Sequence, residues 1–73
     1  MEINIMAAAE VLKKIRDRLN ITQDELAKGL KVTKSAIYNW ENGLRVPKDT
    51  QKRNIINFAQ EHKIKVRLEE FYQ

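Results

Sequence analysis

The stretch that most constrains the fold runs from Thr22 to Gly43, TQDELAKGLKVTKSAIYNWENG. It reads as two short helices joined by a tight turn. Thr22 followed three residues later by Glu25 is a capping box, which satisfies two otherwise unpaired amides at a helix start. Leu26, Ala27 and Leu30 then repeat at i, i+1 and i+4, one apolar stripe that needs a core. Only Lys31 and Val32 separate this helix from Thr33, whose hydroxyl is placed to cap the next one. Asn42-Gly43 is a helix stop. Helices joined this closely cross, and Ala27 is small where their axes would approach.

The second helix has two unlike sides. At about 100° per residue, Ala36, Ile37 and Trp40 share the side that needs burial. Ser35, Tyr38, Asn39 and Asn42 share the opposite side, with Lys34 at its edge. Hydroxyls and amides both donate and accept hydrogen bonds. Base edges in a DNA major groove present the same mixed pattern. The plainer reading is a wet face of small polar residues. Gln23, as first residue of the preceding helix, sits beside exposed amides that attract phosphate.

Charge supports the nucleic-acid reading. The formal net charge is +4. Residues 28–53 carry seven cations, Lys28, Lys31, Lys34, Arg45, Lys48, Lys52 and Arg53, against Glu41 and Asp49, a net +5. Positive charge is therefore concentrated around the second helix, the footprint of a polyanion partner. The plainer reading is a solvated basic face.

In chain order, Met1 to Met6 alternates and fits a frayed extension or a short edge strand. A first helix is expected over 7–19, with Val11, Leu12, Ile15 and Leu19 facing the core. Asn20 tolerates the left-handed conformation that closes helices. Ile21 can act as a hydrophobic staple against Leu26. The central helices are expected at 22–30 and 33–42, and a fourth at 48–62. Val46 is extended because a proline follows it. In the tail, residues 63–73, Ile64, Val66 and Leu68 alternate like a strand, while Leu68, Phe71 and Tyr72 are spaced like a helix. An extended Ile64 to Val66 followed by a short helical turn reconciles them. The expected architecture is all-α, a compact four-to-five-helix bundle with a central helix-turn-helix, in a single domain spanning 1–73.

Other classes are disfavoured by what the chain contains. It has no cysteine, which excludes disulfides and thiolate metal sites. No apolar run is long enough to span a bilayer. The amino end lacks a basic region leading into an apolar one, so secretion is not indicated and a cytoplasmic location is expected. Catalysis is not expected. The one histidine, His62, falls at a helix end where its charge is favourable. Two glycines cannot build a phosphate loop, and Asp24 and Glu25 occupy a first turn where acids belong. No metal or cofactor is expected.

Ile15 to Gly43 resembles the lambda-repressor and Cro-like helix-turn-helix family, the DNA-binding regulators of phages and bacteria. The marks are I-R-x-x-L, T-Q-x-E-L-A, V-T-x-S-x-I-x-x-W-E-N-G and the later proline. The resemblance implies that Lys34, Ser35 and Asn39 meet base edges, with Tyr38 beside them. It implies phosphate contacts for Gln23, Asn42 and Arg45, to which the basic loop adds Lys48. It also implies a buried ion pair between Arg16 and Glu41. Breaking such a pair costs about 3–5 kcal/mol. Two residues depart from the family pattern. Lys31 stands where the family usually has glycine, a strain on the order of 1 kcal/mol if the turn stays left-handed. Lys34 stands where the reading helix often begins with glutamine, so the operator cannot be copied from a relative.

The expected function is a sequence-specific, double-stranded DNA-binding regulator of phage or mobile-element type, acting as a repressor and a homodimer. The alternative is a protein-interaction or antitoxin-like module using Leu68, Phe71 and Tyr72 of the tail as its hot spot.

Overall fold

Capping chemistry sets the helix limits. The computed structural model describes residues 6–72, so the alternating segment at the amino end lies outside the described residues except for Met6. The elements are α1 (Ala7–Leu19), α2 (Gln23–Leu30), α3 (Lys34–Glu41), α4 (Asp49–Glu61) and a terminal 3-10 turn (Leu68–Tyr72). The fold is all-helical, with no strand among the described residues. Thr22 and Glu25 form the full capping box, the Glu25 amide donating to the Thr22 hydroxyl at 3.1 Å and the Thr22 amide to Glu25 Oε1 at 2.9 Å. The Thr33 hydroxyl accepts from the Ala36 amide at 3.1 Å.

Left-handed residues end the helices. Asn20 has φ 54°, Lys31 φ 60°, Lys63 φ 61° and Gly43 φ 69°. Asn and Gly adopt this conformation cheaply, whereas a lysine pays for its Cβ. Lys31 therefore does carry the strain expected of a residue standing where glycine is usual.

The neighbours close into a ring. α3 packs on α1 and α2, α2 on α4, α4 on the terminal turn, and the turn on α1. Leu12, Ile15, Leu26, Leu30, Ile37 and Ile55 are fully buried at its centre. Ala7, Ala8 and Ala9 are buried as well, a run of small side chains that the apolar stripe of α1 did not announce. Leu19, Ala36, Ile56 and Phe58 are only partly buried against this core. Gly29 lies inside α2 for lack of space, since a Cβ there would come within 2.6 Å of the Phe58 ring. Asn54 Nδ2 donates to the Leu30 carbonyl at 2.9 Å, satisfying a helix-end acceptor that α2 cannot. His62 stacks against Phe58, ring centroids 4.4 Å apart, and its Nδ1 lies 2.9 Å from the Phe58 carbonyl.

The tail has no regular structure from Ile64 to Arg67, where burial alternates, Ile64 and Val66 inside and Lys65 and Arg67 exposed, and it then turns. Glu70 fastens it: one oxygen accepts from Lys14 Nζ at 2.7 Å and the other from the Arg67 amide at 2.7 Å. The Lys14 hydrogen bond, then the amide, hold the Glu70 carboxyl below the usual carboxylate range. The expected three-residue hot spot needs correction. Phe71 is only 4 % exposed and fills the protein's own core, which leaves Leu68 and Tyr72 outside. The basic footprint also needs correction at Lys52. It is buried, donates to the Tyr72 hydroxyl at 2.8 Å, and lies 4.1 Å from that ring's centroid.

Candidate nucleic-acid interface

One carboxylate organises the face built by α2 and α3. Glu41, at the end of α3, is buried. Arg16 of α1 grips it with two bonds, Nε to Oε2 at 2.7 Å and Nη2 to Oε1 at 2.8 Å. Such planar, bidentate, charge-assisted pairs are among the stronger polar contacts. Arg16 Nη1 also reaches the Ile21 carbonyl at 3.3 Å, tying in the loop before α2. Gln23 Nε2 donates to Glu41 Oε1 at 3.1 Å. A carboxylate can only accept, so the amide nitrogen must be the atom that faces it. Burial alone would push Glu41 up. The hydrogen bonds from Arg16 and Gln23, with the charges of Arg16 and Lys13, outweigh it and hold the group below the usual carboxylate range. The same contact, opposed by burial, raises the Arg16 guanidinium above its ordinary value. The only acid of α3 is thus neutralised inside the protein.

The ridge stands clear of that pair. Lys34, Ser35 and Tyr38 are exposed and Asn39 is half-buried. Together with Gln23 they border one shallow recess of about 330 Å³. On the other flank of α3 a second recess lies between Ser35 and Asn39 and the loop residues Arg45 and Lys48. That loop is hung from the ridge. The amides of Leu44 and Arg45 both donate to the Asn39 carbonyl, at 2.9 and 3.3 Å. Pro47, fully buried, anchors its far end. Asn42 lines neither recess; its Nδ2 donates to the Tyr38 carbonyl at 2.8 Å and closes its own helix.

Free positive charge is narrower than the sequence total. Among the described residues, Lys28 pairs with Asp24 at 3.4 Å and Lys52 lies 3.7 Å from Asp49 beneath Tyr72. Lys34, Arg45 and Lys48 are exposed and none is ion-paired among the described residues. Val46 belongs to this face and was missed. The signal available was one apolar residue set between two cations in R-V-P-K.

A helix-turn-helix family model matches residues 12–51, more than half of the chain. The protein belongs to the Cro/C1-type helix-turn-helix family. This helix-turn-helix protein is accordingly a DNA-binding regulator. No curated protein and no solved structure matches it. No helix among its described residues is long and apolar enough to cross a membrane, and no group of His, Asp and Glu there could hold a metal ion.

Proposed function

We propose that the protein is a sequence-specific, double-stranded DNA-binding transcriptional regulator, acting in the cytoplasm as a repressor and a homodimer, with residues 1–73 forming one DNA-binding domain. α3 lies in the major groove. Lys34, Ser35, Tyr38 and Asn39 read bases, while Gln23, Asn42, Arg45 and Lys48 fix register on phosphates. The observation that carries this reading is the amide-and-hydroxyl ridge flanked by unpaired cations, with the one acid of α3 buried on Arg16. The likeness of Ile15 to Gly43 to phage regulators supports a phage or mobile-element type.

The test is selection from random duplex DNA at physiological salt. Asn39→Ala leaves intact the backbone carbonyl that holds the loop. It should relax preference at one base position by about 1–3 kcal/mol. Arg45→Ala should weaken binding to all sequences and reduce the salt slope by about one. An unchanged preference for Asn39→Ala would remove Asn39 from the reading surface. The second reading, an antitoxin-like protein-binding module, has the exposure of Leu68 and Tyr72 in its favour, 43 % and 52 %. Absence of DNA binding at low salt, with tight co-purification of another protein lost on Leu68→Ser, would establish it instead.

A further inference from the structure

We propose that Tyr72 is a phosphate-binding residue: its hydroxyl, backed by the buried Lys52, donates to a phosphate of the DNA backbone at the start of α4. The proposal rests on the DNA-reading function above and adds the carboxyl-terminal tail to that surface.

A buried lysine needs a reason. Lys52 is 5 % exposed, and an ammonium gives up strong hydration when it is buried. An apolar side chain would join α4 to the terminal turn without that loss. The ammonium donates to the Tyr72 hydroxyl at 2.8 Å and lies 4.1 Å from the centroid of the ring. Its one ion partner among the described residues is Asp49, 3.7 Å away on a side chain that is 83 % exposed. The cation is thus held chiefly by the tyrosine that covers it.

That contact decides what the hydroxyl can do. A hydroxyl that accepts from Lys52 keeps its own proton to donate. The acceptor within the protein is Asp49 Oδ1 at 3.4 Å, beyond the usual range of an O–H donor. Accepting from a cation strengthens a hydroxyl as a donor. Tyr72 is 52 % exposed, so this strengthened donor is open to a ligand. A phosphate oxygen accepts the proton and is drawn by the ammonium behind it.

The position fits a duplex. Asp49 opens α4 directly after Lys48, and Lys48 shares a recess with Ser35, Asn39 and Arg45. Lys52 lies one turn beyond Lys48, about 5 Å along the helix. Asp49 is the acid of this turn, and Lys48 and Lys52 outweigh it. The donor is also held in place beforehand. Phe71 beside it is buried in the core, and Glu70 is fastened to Lys14 at 2.7 Å. A group already ordered loses less entropy on binding.

The experiment uses the full chain and the best duplex selected from a random pool, with each phosphate replaced in turn by an uncharged methylphosphonate. One of the replacements that weaken binding of the parent should do so through Tyr72, by about tenfold in Kd, the value of one hydrogen bond to a charged group. Tyr72→Phe keeps the ring over Lys52 and removes the hydroxyl. It should weaken binding to selected and random duplexes alike by about tenfold, because phosphate contacts carry no sequence information. The penalty at that one phosphate should vanish in Tyr72→Phe, and the penalties elsewhere should remain. Lys52→Met with Tyr72→Phe removes donor and acceptor together, so no buried charge is left without a partner. This double variant should melt close to the parent and lose the same single penalty, and it decides the matter if Tyr72→Phe alone is unfolded. The proposal is overturned if Tyr72→Phe binds as the parent does, or if the double variant keeps every phosphate penalty. A pool that yields no preferred duplex overturns the DNA-reading function and this contact with it. A preferred duplex whose phosphate penalties are indifferent to Tyr72 overturns the contact alone.

Discussion

Replacing Arg16 by methionine keeps the aliphatic stem and takes the guanidinium away from a carboxylate whose side chain is 2 % exposed. Glu41 would keep only the Gln23 amide at 3.1 Å. Removing one partner of a buried pair leaves the other charge uncompensated, about 3–5 kcal/mol. The reciprocal change, Glu41→Gln, is milder. The Arg16 side chain is 26 % exposed, so it can turn to water, and it still has the Ile21 carbonyl within reach. The glutamine keeps the shape and one acceptor, and the loss should be about 1–2 kcal/mol. For 73 residues total stability is roughly 4–11 kcal/mol, so both variants can be measured. Urea unfolding followed by fluorescence of Trp40, the single tryptophan and a buried one, reads the difference. The pH dependence is diagnostic. In the parent the Glu41 pKa is lowered, so its contribution is complete above the unfolded value near ~4.3 and is lost as pH falls through the folded value. In Arg16→Met burial is left as the main influence and pushes the group up. That variant should lose stability as pH rises past ~4.3, and the gap between the two proteins should widen from acid to neutral pH. A gap independent of pH, or a larger loss for Glu41→Gln than for Arg16→Met, would refute this reasoning.

Lys31→Gly relieves a left-handed lysine at the end of α2 and should raise the urea midpoint by about 1 kcal/mol of stability, with DNA binding unchanged. Glu70→Gln removes an ion pair whose side chains are 32 % and 27 % exposed, so it should cost at most about 1 kcal/mol at neutral pH. Because the Glu70 pKa is lowered, that difference should be complete above ~4.3 and vanish as pH falls through the folded value, which paired urea melts across the acid range would show.

The all-helical fold was legible because its punctuation is local. Thr22 with Glu25, Thr33, Asn20 and Gly43 act within a few residues of themselves, and each does so here. What escaped depends on residues far apart in the chain. Lys52 counts as a free cation until Tyr72, twenty residues on, covers it. Phe71 looks like a surface anchor until the turn folds it inward, and Lys14 looks solvated until Glu70 arrives. Gly29 carries no positive φ to advertise it; only the Phe58 ring explains it. On the proposed DNA-facing side, Lys34, Ser35 and Asn39 could be marked from helical phase. For Val46 the R-V-P-K pattern was only a hint, because its exposure depends on how Pro47 and the Asn39 carbonyl hold the loop.

Glu41 is shared by three helices, being part of α3 while Arg16 reaches it from α1 and Gln23 from α2. The start of α2 and the ridge of α3 therefore form a gauge of fixed width. On the proposed mode of DNA binding, a grip held at one width would pass the work of adjustment to the duplex. Stiffness and groove width at base pairs that no side chain touches would then enter the affinity, as the elastic cost of bringing DNA to the gauge.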